Sequence, residues 1–180
     1  MKSLIYVAAA MMLLSPSARA AEPGAISVPM AVAALKGCWE GHGDVMGKSV
    51  TITINAHPIV LDAMFAIDAD SIAVGDFSDR HAAHLVFGGA EKHAVESADA
   101  IMGFWADSFG GAFAATGSGE SVPGGFDISY QYGDNAFVNR WRNTSDGLTW
   151  QIIARDAKGK ENPFASYMLR KATCPTPTAK

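Results

Sequence analysis

In Phe126-Asp127-Ile128-Ser129-Tyr130-Gln131-Tyr132, apolar and polar side chains alternate without interruption. A period of two is typical of a β-strand that buries one face. The turn signal Gly133-Asp134-Asn135 follows, and residues 136–143 then form a second candidate strand. Ser145-Asp146-Gly147 is a hairpin signal, because glycine adopts positive φ at little cost. This third of the chain therefore predicts an antiparallel meander, which two further strands complete.

Short strands with glycine-containing turns recur along the chain, a pattern typical of a sandwich or a barrel. The predicted strands cover 37–43, 49–55, 59–68, 84–87, 100–106, 112–117, 126–132, 136–143, 148–156 and 164–171. The segments 76–83 and 88–99 are predicted as connections, and 27–35 as one short helix that Ser27 can cap. We predict a mainly β fold, an antiparallel up-and-down closed β-barrel of about 8–10 strands with one short N-terminal helix.

The N-terminus has the parts of a secretory signal: Lys2, an uncharged apolar run over 4–14, and the small-x-small site Ala18-Arg19-Ala20. We expect a signal peptide over 1–20, with an uncleaved anchor as the alternative. The remaining chain fits a single β-barrel domain over 21–174, followed by a disordered tail over 175–180. We therefore expect an exported protein, periplasmic or extracellular, with no transmembrane segment in its mature chain.

The charge and the histidine pattern bear on two further function classes. The net charge is −4 and no basic block occurs, so nucleic acid is not an expected partner. The pair His81-x-x-His84, with Asp79 before it, could be half of a zinc or haem site. No further ligand follows at a familiar spacing, and surface or loop histidines are the alternative interpretation. We predict no metal and no cofactor.

The chain has two cysteines, Cys38 and Cys174. Export would put them in an oxidising compartment, where disulfides persist. Two cysteines allow one intramolecular bond, and this pair would join the first predicted strand to the end of the last. Free thiols or intermolecular bonds are the alternative. The intramolecular bond predicts a barrel whose two chain ends are held together.

Gly37-x-Trp39 on the first strand, with Arg170 on the last, resembles the calycin superfamily, which includes the lipocalins and the fatty-acid-binding proteins. The resemblance implies that Trp39 closes one barrel end and that Arg170 packs over its indole as a cation–π and hydrogen-bonding partner. A wall of a ligand cavity is the alternative role for this pair. With the segment 103–108 and the final Tyr-x-Leu-Arg over 167–170, the chain looks closer still to an uncharacterised bacterial secreted family of such barrels.

A closed barrel has room for one small apolar ligand, and this is the predicted partner. The candidate ligand-binding residues are Trp105, Asp107, Tyr130, Arg140 and Trp150. Arg140 could orient an acidic head group if it faces the interior; on the outer face it is an ordinary solvated charge. Two other functions stay open: an envelope interaction protein with a filled barrel, and an enzyme at the barrel mouth in which Asp107 and a histidine act as acid and base.

Overall fold

The computed structural model describes residues 25–90 and 99–175. The predicted signal peptide over 1–20 and the tail from residue 176 lie outside the described residues, as does the segment 91–98. The described residues form ten β-strands, one short α-helix and one 3₁₀ turn. The elements are α1 (Met30–Ala33), β1 (Gly37–Val45), β2 (Lys48–Ile59), β3 (Met64–Ala73), β4 (Asp76–Gly89), β5 (Ala100–Asp107), the 3₁₀ turn (Gly111–Phe113), β6 (Ala115–Val122), β7 (Gly125–Tyr132), β8 (Asn135–Thr144), β9 (Gly147–Arg155) and β10 (Glu161–Ala172).

The ten strands form one closed sheet. Each strand pairs antiparallel with the strands next to it in sequence, and β1 pairs with β10. The prediction of a closed up-and-down barrel with one short helix is therefore confirmed. In this topology the turns after β1, β3, β5, β7 and β9 lie at one end, which we call the open end. The helix α1 precedes β1 and so lies at the opposite end, which we call the closed end.

Several boundaries differ from the prediction. The strand predicted over 112–117 begins only at Ala115 and runs to Val122, because a 3₁₀ turn occupies Gly111–Phe113. The segment 76–83, predicted as a connection, is the first half of β4, and most of its side chains are exposed on both faces, so no alternation marks it. The strand predicted over 59–68 begins only at Met64, because residues 60–62 turn the chain with positive φ. The helix is confined to Met30–Ala33, and Ser27 does not cap it, since Pro29 occupies the N-cap position without a side-chain bond.

The helix and Trp39 fill the closed end. Val32 and Leu35 are fully buried in the core. The Trp39 indole nitrogen donates a hydrogen bond to the carbonyl oxygen of Leu35 at 2.8 Å, which ties the first strand to the segment that covers the barrel. This polar link satisfies the indole N–H away from water, as buried tryptophans require.

Lys171, and not Arg170, is the cationic partner of Trp39. The Lys171 ammonium lies 3.8 Å from the centroid of the indole ring. In the β1–β10 register Trp39 is opposite Lys171, while Arg170 is opposite Glu40. Successive residues of a strand point to opposite faces, so Arg170 lies outside and forms an exposed ion pair with Glu40 at 3.3 Å. The expectation that Arg170 packs over Trp39 is wrong by one position.

The predicted disulfide between Cys38 and Cys174 is present, with the two Cα atoms 5.1 Å apart. Cys38 lies in β1, and Cys174 lies just beyond the end of β10. The bond therefore crosses the pairing that closes the barrel, and it lies at the closed end.

Glycines let two pairs of strands approach closely. A Cβ added at Gly41 would lie 2.0 Å from the carbonyl oxygen of Met168, and one at Gly125 would lie 1.8 Å from that of Trp141. No other residue fits at such a distance, and glycine at a sharp bend is a common device in barrels. Gly41, two positions after Trp39, thus allows the close approach of β1 to β10.

Aromatic rings fill the interior above the closed end. The rings of Trp141 and Trp150 stack at 4.3 Å, and Tyr167 contacts Trp150 on its other side at 4.9 Å. The Trp150 indole nitrogen donates to the side-chain oxygen of Asn139 at 2.8 Å, so this buried amide has a defined partner. Phe126 extends the stack beyond Trp141. This part of the barrel is a packed core.

Candidate ligand site at the open end

The open end carries an arc of aromatic side chains above the packed core. Three belong to strand ends, and two belong to the segment between β5 and β6. We call this set the aromatic mouth: Phe109, Phe113, Tyr132, Phe137 and Phe164. Tyr132, Phe137 and Phe164 are partly buried against the core, whereas Phe109 and Phe113 are mostly exposed.

The rings of the aromatic mouth contact one another edge to face. The centroid distances are 6.0 Å for Phe109 and Phe113, 5.5 Å for Tyr132 and Phe137, and 4.9 Å for Phe137 and Phe164. The two halves of the arc are joined because the Tyr132 hydroxyl donates to the main-chain oxygen of Phe113 at 3.0 Å. Such pairs favour tilted rings, and the result is a continuous apolar surface that water reaches from above.

Asp107 ends β5 inside this arc. Its side chain is only 8% exposed. Two neutral donors hold its carboxylate: the Trp105 indole nitrogen donates to Oδ2 at 2.8 Å, and the Phe109 main-chain nitrogen donates to Oδ1 at 2.9 Å. Each oxygen still has a second lone pair, because a carboxylate offers about four acceptor positions. Two hydrogen bonds therefore fix the position of the carboxylate, and each of its oxygens can still accept another.

His81 is the nearest basic group to this carboxylate. Its Nε2 lies 3.6 Å from Asp107 Oδ2, and its ring lies 5.3 Å from that of Phe109. In the described part of the chain, it is the only basic side chain in ion-pair contact with Asp107. An enzyme at the barrel mouth would need such a pair, but 3.6 Å exceeds the reach of a direct hydrogen bond.

The pKa values of two tyrosines reflect the environment of the site. Burial, and then the charge of Asp107, raises the pKa of Tyr132. Burial also raises the pKa of Tyr130, whose hydroxyl has no hydrogen-bond partner among the described residues. The barrel wall carries no side chain beside this hydroxyl, because residue 103 is glycine. A Cβ at Gly103 would lie 2.8 Å from the hydroxyl oxygen. The phenols of Tyr130 and Tyr132 are thus kept neutral near the Asp107 carboxylate, and the site is apolar with one negative group.

Four of the five predicted ligand residues are on the inner face. Trp105 contacts Tyr130 at 5.7 Å and Trp150 at 6.1 Å, and it donates to Asp107. Trp150 belongs to the packed core, because rings cover both of its faces. Trp105 and Asp107 are thus the upper surface of the core and the floor of the aromatic mouth.

Arg140 lies on the outer face. Its neighbour Trp141 is fully buried and points inward, so the pleat directs Arg140 to solvent. There its guanidinium pairs with Glu161 at 3.0 Å and approaches Asp127 at 4.0 Å. A shallow groove of about 400 Å³ lies beside this network on the outer face. The expectation that Arg140 orients an acidic head group inside the barrel is not met by this geometry.

A second outer groove, of about 540 Å³, runs over β1, β2 and β10. Its rim includes Glu40 and Arg170, which pair with each other, and the exposed thioether of Met168. Gly41, where β1 and β10 approach closely, lines this groove and adds no side chain to it.

The histidine pair considered as half of a metal site cannot bind one ion together. His81 points inward to the mouth, and His84, three positions along the same strand, points outward. His84 Nδ1 lies 2.7 Å from Asp68 Oδ1 on the outer face. Across the described ranges, no group of three or more metal-ligating side chains comes together.

Several residues of the site did not emerge as candidates from the sequence: His81 as a partner of Asp107, and all five rings of the aromatic mouth. Tyr132 and Phe137 flank the turn at Gly133, so the hairpin signal places both at one barrel end. Phe109 and Phe113 lie in a short loop with no periodicity. Their position over the opening depends on closure of the barrel, which strand patterns do not reveal.

Comparison with known proteins leaves geometry as the guide to function. Neither models of protein families nor curated proteins match the chain. The closed ten-strand barrel of the described residues is compatible with the calycin-like architecture that the Gly-x-Trp motif suggested. No helix within 25–90 and 99–175 is long and apolar enough to cross a bilayer.

Proposed function

We propose that this protein is an exported barrel that binds a small apolar or aromatic molecule at the aromatic mouth. One observation carries the proposal: a carboxylate that is 8% exposed, Asp107, is held among aromatic rings at the open end. Ligand sites typically combine an apolar lining with a few fixed polar groups. The disulfide supports export, because such bonds persist in oxidising compartments.

The mouth, rather than the deep interior, is the place for a ligand. Stacked rings occupy the barrel below Trp105, and displacing Trp150 would break its hydrogen bond to Asn139. By contrast, Phe109 is 70% exposed and Phe113 is 52% exposed, so both rings present apolar surface to solvent. A flat apolar ligand lying against Phe109 and Phe113 would cover that surface and gain hydrophobic stabilisation.

The neutral dye N-phenyl-1-naphthylamine, whose emission rises in apolar surroundings, tests this proposal. We expect saturable binding that Phe109→Ser weakens by about tenfold, since that change removes most of an aromatic contact. Phe104→Ser is the matched control, because Phe104 is exposed on the outer face of the same strand region. Absence of saturable binding, or equal loss in both variants, would refute the site.

A second candidate function is an envelope interaction protein with a filled barrel. It is favoured by exposed apolar side chains on other turns of the open end, Met46, Val74 and Phe77. Contiguous exposed apolar residues often mark protein contacts. The two functions separate in the same assay: Phe77→Ser should leave dye affinity unchanged if the aromatic mouth is the ligand site. Loss of affinity in Phe77→Ser but not in Phe109→Ser would favour the interaction surface.

A further inference from the structure

We propose that the aromatic mouth selects organic cations, namely an ammonium group carried on an apolar or aromatic body. This inference rests on the proposed function, because it names the ligand class of the same site. It follows from three observations: the state of the Asp107 carboxylate, the rings near it, and the position of Arg140 on the outer face, where it is paired with Glu161.

The carboxylate of Asp107 is poised to accept a further donor. Both of its present hydrogen bonds come from neutral N–H groups, those of Trp105 and Phe109. These donors fix the position of the carboxylate but leave its charge uncompensated. A ligand ammonium could use the remaining lone pairs of the two oxygens. Because the side chain is largely shielded from water, the pair would be weakly screened.

The rings complete a cation site around the carboxylate. Phe109 follows Asp107 by two residues, Phe113 contacts Phe109, and Tyr132 is bonded to the main chain of Phe113. The face of an aromatic ring carries partial negative charge and attracts cations within about 6 Å of its centre. Burial, and then the charge of Asp107, raises the pKa of Tyr132, in keeping with a negative group near this ring.

The same arrangement disfavours anionic ligands such as fatty acids. Arg140, the arginine that could have bound an acidic head group, is on the outer face and is paired with Glu161. Inside the mouth, an anion would meet a carboxylate and ring faces of the same sign of charge. His81, which lies 3.6 Å from Asp107, is the basic group of the site within the described residues.

The experiment compares three probes that compete with N-phenyl-1-naphthylamine. Benzylammonium, which has N–H donors, is the cation, ethylbenzene is its neutral carbon isostere, and benzenesulfonate is an aromatic anion. Measurements are made at about pH 8, where imidazole is ordinarily neutral and does not compete for the carboxylate. We expect the cation to displace the dye at a concentration at least about tenfold lower than the isostere.

Asp107→Asn should reduce this preference, measured as the ratio of the displacing concentrations of isostere and cation in the variant itself, to less than about threefold. Asp127→Asn, which removes a carboxylate on the outer face, should keep the full preference. The comparison of cation and isostere on the unaltered protein needs no variant, so it decides the question even if Asp107→Asn does not fold.

Each outcome has a distinct meaning. Equal displacement by cation and isostere, or stronger displacement by benzenesulfonate, would overturn cation selection while leaving the dye site and the proposed function intact. A preference that survives Asp107→Asn would also overturn the inference. If the dye itself does not bind saturably, the proposed function fails, and the ligand class named here fails with it.

Discussion

Removing the disulfide should destabilise the barrel without altering its open end. The double variant Cys38→Ala/Cys174→Ala opens a cross-link between residues separated by 136 positions. For a loop of this length, the chain-entropy relation gives a loss of about 5 kcal/mol in the free energy of unfolding, and measured losses are often closer to about 3. For a domain of this size, such a loss corresponds to a fall in Tm of about 10 °C.

Urea unfolding followed by tryptophan fluorescence measures this loss, with the reduced form of the unaltered protein as the control. The double variant and the reduced protein should agree, because both lack the same constraint. Dye affinity should not change, since the bond lies at the closed end. A loss below about 1 kcal/mol would contradict the chain-entropy account, in which the bond restricts the unfolded chain. A changed dye affinity would refute the independence of the two ends.

Three further predictions concern the wall, the closed end and the buried phenols. Gly125→Ala should lower the free energy of unfolding by about 3 kcal/mol, because the added Cβ would overlap a main-chain oxygen. Gly111→Ala, whose Cβ would meet open space, should lower it by less than about 0.5 kcal/mol. Equal urea midpoints for the two variants would contradict this prediction. Lys171→Met should cost about 1 kcal/mol through loss of its contact with Trp39, and an unchanged Tm would contradict it. Burial raises the pKa of Tyr167 to about 12, above the usual value of about 10, so stability should be complete below about pH 10 and fall as the pH rises towards 12. A stability that rises between about pH 10 and 12 would contradict the sign of this dependence.

Much of the architecture could be predicted because one face of each strand is buried. The alternation in 126–132 indicates directly which side chains contact the core, and the hairpin glycines indicate where the backbone adopts positive φ. The first half of β4 was missed, since it stands at the open end with both faces exposed and so carries no alternation. The partner of Trp39 was misjudged by one residue, because the choice between Arg170 and Lys171 depends on cross-strand register.

The candidate site was predictable only in part. Trp105 and Asp107 could be chosen from sequence because a carboxylate follows an aromatic strand end there. The alternative, that Asp107 starts a turn by bonding its own backbone, is also met, since the Phe109 main-chain nitrogen donates to its Oδ1. The side of Arg140 stayed open in the sequence because the stretch 136–143 has a large side chain at most positions. The assembled sheet assigns Trp141 to the inside and Arg140 to the outer face, one of the two positions considered for it. His81 reaches Asp107 through strand pairing between β4 and β5, a relation between segments that local patterns do not contain.

The location of the ligand site at the open end is most directly tested by the indole N–H resonances of an NMR titration with benzylammonium. Trp105 donates to Asp107 at the floor of the aromatic mouth, whereas Trp39 donates to Leu35 at the closed end. A ligand at the mouth should shift the Trp105 indole signal progressively and leave the Trp39 signal in place. A shift of the Trp39 signal with an unmoved Trp105 signal, or no shift in either, would contradict a ligand site at the aromatic mouth.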